Sequence, residues 1–152
     1  GRLMVSKDVF EVGNKIKKRA EQAETIFLGD DVTADERAQA RKMAESADVI
    51  VLPIYAKIVL RRGNISLLPD QEELVRDLGR LKKPIVVVAA GSPYVINEIP
   101  RYEVALVLFS NAEVSQEAAA RALFGEIPIR GKSPVTLGPG CPYDFGMERP
   151  KK

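Results

Sequence analysis

Pro84-Ile85-Val86-Val87-Val88-Ala89-Ala90, leaving through Gly91-Ser92-Pro93-Tyr94, is the run that decides the fold. It is short, rich in β-branched residues and apolar at consecutive positions. A strand half-exposed to water alternates apolar and polar residues; a run without alternation is expected of a strand buried on both faces in a parallel sheet. Glu24 to Leu28 (ETIFL), Asp48 to Leu52 (DVIVL) and Val104 to Phe109 (VALVLF) have the same character. Leu3 to Val5 reads as the remnant of a further strand ahead of the first helix.

Helical patterns separate these runs. Val12, Ile16 and Ala20 recur every four residues. Thr33 and Glu36 have the spacing of a capping box, opening a helix that runs to about Ser46. Pro69-Asp70, with Glu73 three residues after Asp70, starts another, whose apolar stripe is Leu74, Leu78 and Leu81. Ser115 is placed to cap a last helix that turns Ala118, Ala119, Ala122 and Leu123 inward, and Gly125 stops it. Pro128, Gly131 and Lys132 then form a loop into a short strand at Pro134-Val135-Thr136-Leu137. Strands alternating with helices predict an α/β fold: a doubly wound, mostly parallel open sheet with helices on both faces, an α/β sandwich. We expect one domain over 6–137 and an extended tail over 138–152, where Gly138-Pro139-Gly140, Pro142, Gly146 and Pro150 crowd together.

The composition removes several function classes. With 152 residues and 45% apolar content, the chain can bury a sizeable core. Lys and Arg number 23 against 21 Asp and Glu, a net of +2, which is too little for a nucleic-acid footprint. The one basic cluster, Lys15, Lys17, Lys18 and Arg19, reads as a solvated helix face. Cys141 is alone, so no internal disulfide forms, and histidine is absent, which removes imidazole bases and the usual zinc sets. No apolar run approaches the roughly 20 residues that span a bilayer. No cofactor or metal is expected.

In a doubly wound sheet, ligands bind beyond the carboxyl ends of the strands. The loops there are Gly29 to Val32, Pro53 to Leu68, Gly91 to Val95 and Ser110 to Val114. None carries a G-x-G-x-x-G or a G-x-x-x-x-G-K-[ST] phosphate loop. Asp30-Asp31 looks like the acidic pair of a phosphate-accepting receiver domain, but Asp48 falls at the start of its strand, on the wrong edge. Asp30-Asp31 therefore reads as a turn into the Thr33 cap. Ser92 has no histidine to activate it, so Gly91-Ser92-Pro93-Tyr94 reads as a strand-to-helix elbow with Tyr94 packed on a neighbour. A hydrolase acting alone would have to draw an acid/base pair from loop carboxylates such as Asp30, Asp31, Glu98 or Glu113. No catalytic residue is assigned.

Several of these motifs fall in a familiar order: Ala47-Asp48 and its strand, Gln71, Lys83-Pro84 and its run, Gly91-Ser92-Pro93-Tyr94, a turn ended by Ile99-Pro100, and Ala122-Leu123-Phe124-Gly125 leading to Pro134-Val135-Thr136. The order resembles the C-terminal domain of glycoside hydrolase family 3 from about Phe10 to Leu137, most densely from Ala47. The resemblance implies an α/β sandwich that partners an N-terminal barrel domain carrying the nucleophile, with carbohydrate in the cleft between them. In the β-glucosidase branch the loop at Tyr55-Ala56-Lys57 looks like Tyr-Ala-Glu, then Gly-Asp, and the glutamate is the acid/base. Here Lys57 and Asn64 stand at those positions. The departure is closer to the N-acetylhexosaminidase branch, which takes an aspartate and a histidine from the barrel. On this reading Lys57, Arg61 and Arg62 line the sugar side of the cleft. The alternative is a free-standing, non-catalytic carbohydrate-binding or interaction module.

Overall fold

The β-branched runs become strands of one parallel sheet. The structure, a computed structural model, describes residues 2–3, 11–29, 31–56 and 67–152. In chain order the elements are β1 (Arg2–Leu3), α1 (Val12–Lys17), β2 (Phe27–Leu28), α2 (Ala34–Ser46), β3 (Ile50–Ala56) and α3 (Pro69–Arg80). They continue with β4 (Ile85–Gly91), a 3₁₀ helix (Pro93–Glu98), β5 (Val104–Val107) and α4 (Glu113–Leu123). The strands lie in the order β2-β1-β3-β4-β5, every pair parallel. This is the flavodoxin-like winding, in which the chain leaves β1 on one side for β2 and crosses back to β3. The doubly wound α/β sandwich expected from the sequence is the fold observed, and β1 is the strand hinted at by Leu3; Val5 lies outside the described residues.

β4 shows why its sequence does not alternate. Ile85, Val87 and Ala89 pack on one face with Ala40, Ala44, Leu74, Val75, Leu78 and Val95, from α2, α3 and the 3₁₀ helix. Val88 and Ala90 pack on the other with Val12 of α1 and Ala119 of α4. Both faces are covered by helices, so water reaches neither. Each such Val, Ile or Leu contributes about 1.5–3 kcal/mol of transfer free energy against the entropy of ordering the chain.

β3 runs further than the sequence suggests, through Pro53, which is fully buried within a strand that has neighbours on both sides. Proline removes a ladder donor, so its tolerance depends on which way that donor would point. Ile50 donates its N–H to Pro84 O at 2.9 Å, and Ala56 O accepts from Ser92 N at 3.1 Å. Even-numbered residues thus bond toward β4, and odd-numbered ones, Pro53 included, face β1. There, among the described residues, β1 pairs with β3 through Leu3 and Ile54, and the missing N–H of Pro53 costs no bond toward β4.

The start of α2 is set by a side chain, as its sequence predicts. Thr33 Oγ1 accepts from Glu36 N at 3.2 Å and Glu36 Oε2 accepts from Thr33 N at 2.9 Å, the expected capping box. α3 starts at Pro69 as expected, with Leu68 at the cap position. One start lies earlier than expected. α4 is capped at Ala112, whose N–H donates to Ser110 Oγ at 3.0 Å, so Ser115 lies inside the first turn. That start rotates the helix: Gln116, Ala119 and Ala120 are buried, while Ala118 is exposed. Gly125, at φ +71°, ends α4 as expected.

Residues 134–137 form no strand. Leu137 enters the core, its N–H donates to Cys141 O at 2.9 Å and its C=O accepts from Asn97 Nδ2 at 2.8 Å. The last residues fold back along the segment after α4, through paired bonds between Ile129 and Arg149 and from Lys152 N to Gly125 O at 3.0 Å. The basic cluster is also less solvated than its sequence suggests. Lys15 lies 3.3 Å from Glu113, and Arg19 bonds Glu126 at 2.7 Å and Glu117, tying α1 to α4; Lys17 and Lys18 are exposed.

Thr33→Ala removes one half of the α2 cap and should lower stability by about 1 kcal/mol, read as a shift in urea midpoint without a change in slope.

Candidate functional site

The winding places the topological switch point between β1 and β3, at the carboxyl edge of the sheet. Two segments leave the strands there, residues 4–10 after β1 and 57–66 after β3. Lys57, Arg61 and Arg62, with Asn64, lie in the second and fall outside the described residues, as does Asp30 after β2. What the structure describes is the frame on either side of residues 57–66.

The departure is fixed by close contact of β3 and β4. Gly91 has φ +78°, and a Cβ there would sit 2.3 Å from Ala56 O and 3.0 Å from Tyr55 Cε2. Only glycine lets β4 turn so tightly against the last residues of β3. Ser92 then donates its N–H to Ala56 O at 3.1 Å, and Pro93 opens the 3₁₀ helix. The expected elbow is present, although Tyr94 is largely exposed instead of packed. Ser92 is buried, and its Oγ makes no hydrogen bond among the described residues. It has no base beside it and is cut off from solvent, which agrees with a structural role.

The return is fixed by Gln71. This buried amide accepts from Leu68 N at 3.2 Å through Oε1 and donates to Gly29 O at 3.2 Å through Nε2. One side chain thereby ties the exit of β2 to the entry of α3. A polar residue on the buried side of a helix is costly unless bonded on both ends, and here both are. The apolar stripe of α3 drew attention to Leu74 and Leu78, and the signal for Gln71 was its position three residues after Leu68. On the other side of the elbow, Asn97 anchors the 3₁₀ helix to Leu137.

Asp31 is exposed in the turn that enters α2, and Asp48 is at the opposite edge, just before β3, so the receiver arrangement is absent. Glu98 is exposed and Glu113 pairs with Lys15. Four glutamates have their pKa shifted, and all four shifts go down: Glu36 through Thr33, Glu103 through the Ile85 N–H, and Glu117 and Glu126 through Arg19. A general acid working near neutral pH needs the reverse. Among the described residues no group of His, Cys, Asp and Glu could hold a metal ion, and no helix is long and apolar enough to cross a membrane.

Fold and edge together define a doubly wound sandwich whose described carboxyl edge is built for holding loops in place and carries no acid/base pair. The sequence model of the glycosyl hydrolase family 3 C-terminal domain matches residues 4–142, and the chain belongs to that family. Among solved structures it is similar to a glycoside hydrolase family 3 β-N-acetylglucosaminidase from Paenibacillus sp. str. FPU-7, at TM-score 0.69 and 22% identity over 88% of this chain. It is also similar to a fungal multi-domain family 3 β-N-acetylglucosaminidase, at TM-score 0.70 and 26% identity over 91% of this chain. The chain spans only 24% and 15% of those two proteins. No curated protein sequence matches it.

Gly91→Ala should destabilise the chain by about 3 kcal/mol, because it adds a clash to an unfavourable φ; equilibrium unfolding in urea measures this. The lowered glutamates set an acid limit. Their stabilising contribution is complete above the ordinary glutamate range and is lost as pH falls through the lowered folded-state values. A Glu117→Gln/Glu126→Gln double variant should therefore show a shallower fall of stability below about pH 4.3 than the parent, in urea midpoints taken across pH.

Proposed function

We propose that this chain is the C-terminal domain of a retaining family 3 β-glycosidase of the β-N-acetylhexosaminidase type, acting in carbohydrate metabolism on O-glycosyl bonds. The nucleophile and the acid/base belong to an N-terminal barrel domain outside these residues. The observation that carries the reading is the family match over 4–142 combined with Lys57 at the position where the β-glucosidase branch has its acid/base glutamate. An ammonium group cannot donate a proton as a carboxylic acid does, so on this alignment the acid/base is not drawn from this position. Both similar solved structures are β-N-acetylglucosaminidases of which this chain spans a small share, and this supports the same assignment.

In this proposal the domain contributes a wall. Gly91, Ser92 and Gln71 hold the ends of the loop after β3, and Lys57, Arg61 and Arg62 on that loop meet the polar side of the bound saccharide. Cations at this place favour a substrate with acceptor oxygens, and they bind the ground state and the transition state alike. A second reading, a carbohydrate-binding module acting alone, is favoured by one observation. Both faces of β4 are covered by the chain's own helices, as a self-standing unit requires.

The purified chain should hydrolyse neither a chromogenic β-N-acetylglucosaminide nor the matching β-glucoside; turnover that survives repurification would overturn the proposal. In the enzyme with its barrel, Lys57→Ala/Arg61→Ala/Arg62→Ala should raise KM about tenfold with kcat nearly unchanged. Binding of N-acetylglucosamine oligomers by the isolated chain, lost in the same triple variant, would favour the module instead.

A further inference from the structure

Phe109, two residues past the end of β5, has φ +53°. A bulky side chain is uncommon in this left-handed region, and strain of this kind gathers at active sites and ligand clamps. Ala89 pairs with Val107, so two positions further Phe109 falls opposite Gly91, which itself pairs with Ala56. Gly91 and Phe109 therefore turn out of neighbouring strands at one level, both with positive φ. On β4 the turn is made by glycine, which adopts it without steric cost; on β5 a phenyl ring is kept at the corresponding place.

The ring is not kept for burial. Phe109 is 40% exposed and belongs to neither buried cluster. Yet the turn around it is held from both sides. Leu108 donates its N–H to Ala89 O at 2.9 Å, and Ala112 donates its N–H to Ser110 Oγ at 3.0 Å. The buried Gln116 donates through Nε2 to Asn111 O at 2.7 Å and accepts through Oε1 from Glu11 N. A strained residue persists only when its surroundings over-determine it, and these bonds do so. Tyr94, in the first turn of the 3₁₀ helix that follows Gly91, is a second aromatic at the same edge, 43% exposed.

We propose that Phe109, with Tyr94 on the same edge, is a saccharide-contact residue on which the apolar C–H face of a sugar ring stacks. The inference rests on the glycosidase reading and names a side chain for its substrate. The negative face of an aromatic ring attracts the positively polarised C–H groups of a sugar, while the hydroxyls at the sugar's rim stay free for polar partners. Size favours a small ligand over a second domain. Two rings at this exposure offer on the order of 150 Å², against roughly 600–1,500 Å² for an interface between domains. Neighbouring strands lie about 4.8 Å apart, so Phe109 stands about 10 Å from the end of β3, within the length of a disaccharide.

The test is kinetic, in the enzyme with its barrel, on a chromogenic β-N-acetylglucosaminide. Phe109→Asn removes the ring and suits a left-handed backbone. It should raise KM about tenfold with little change in kcat, and Phe109→Tyr, which restores a ring, should bring KM back. In the 152-residue chain the urea midpoint of Phe109→Asn should fall by less than about 0.5 M. A KM that Phe109→Asn leaves unchanged would overturn the proposal, as would a rise that Phe109→Tyr shares. A larger fall of the chain's midpoint would make the ring a packing residue, and a fall seen only in the longer enzyme would make the barrel its partner; either result overturns it. A parent enzyme without turnover would refute the glycosidase reading itself, and this inference with it.

Discussion

The structure depends on the burial of β4 from both sides. Ile85, Val87, Val88, Ala89 and Ala90 are completely shielded from water, and no single helix layer could achieve that. Covering one face requires α2, α3 and the 3₁₀ helix; covering the other requires α1 and α4. Parallel pairing with β3 and β5 then forces each connection to cross the sheet, and those crossovers are the helices. The alternating arrangement is thus what this apolar run demands of the rest of the chain.

The carboxyl edge inherits its geometry from the same strand. β4 must leave the core at once, and Gly91 lets it do so against Ala56 with no room for a side chain. Gln71 and Asn97 complete the frame by hydrogen bonds from buried or turn-forming positions. The three contacts converge on backbone, so they hold loop ends without presenting chemistry. In the proposed enzyme, the domain would then shape a cleft whose reacting groups come from elsewhere.

Much of the fold was legible because local and global preferences agree. The β4 run, the Thr33–Glu36 box and the Gly125 stop each follow from one physical rule satisfied within a few residues. The misreadings arose where distant partners decide. Pro53 lies in a strand because its missing N–H points away from β4, the long partner of β3. Leu137 leaves the strand pattern because Asn97, forty positions away in sequence, takes its carbonyl. Lys15 and Arg19 are drawn from solvent by α4 carboxylates about a hundred positions distant. Of the candidate site, the elbow was legible and Gln71's bonding was not, since its partners Gly29 and Leu68 meet only in the folded chain. Lys57, Arg61 and Arg62 rest on the family resemblance and on their place directly after β3.

The central claim is that the bond-cleaving groups lie outside these 152 residues. A retaining glycosidase can be trapped as its covalent glycosyl-enzyme with a 5-fluoro glycoside, and the labelled peptide identified by mass spectrometry after digestion. Performed on the longer enzyme, this should place the label on a carboxylate upstream of Gly1. A label on any aspartate or glutamate between Gly1 and Lys152 would contradict the account.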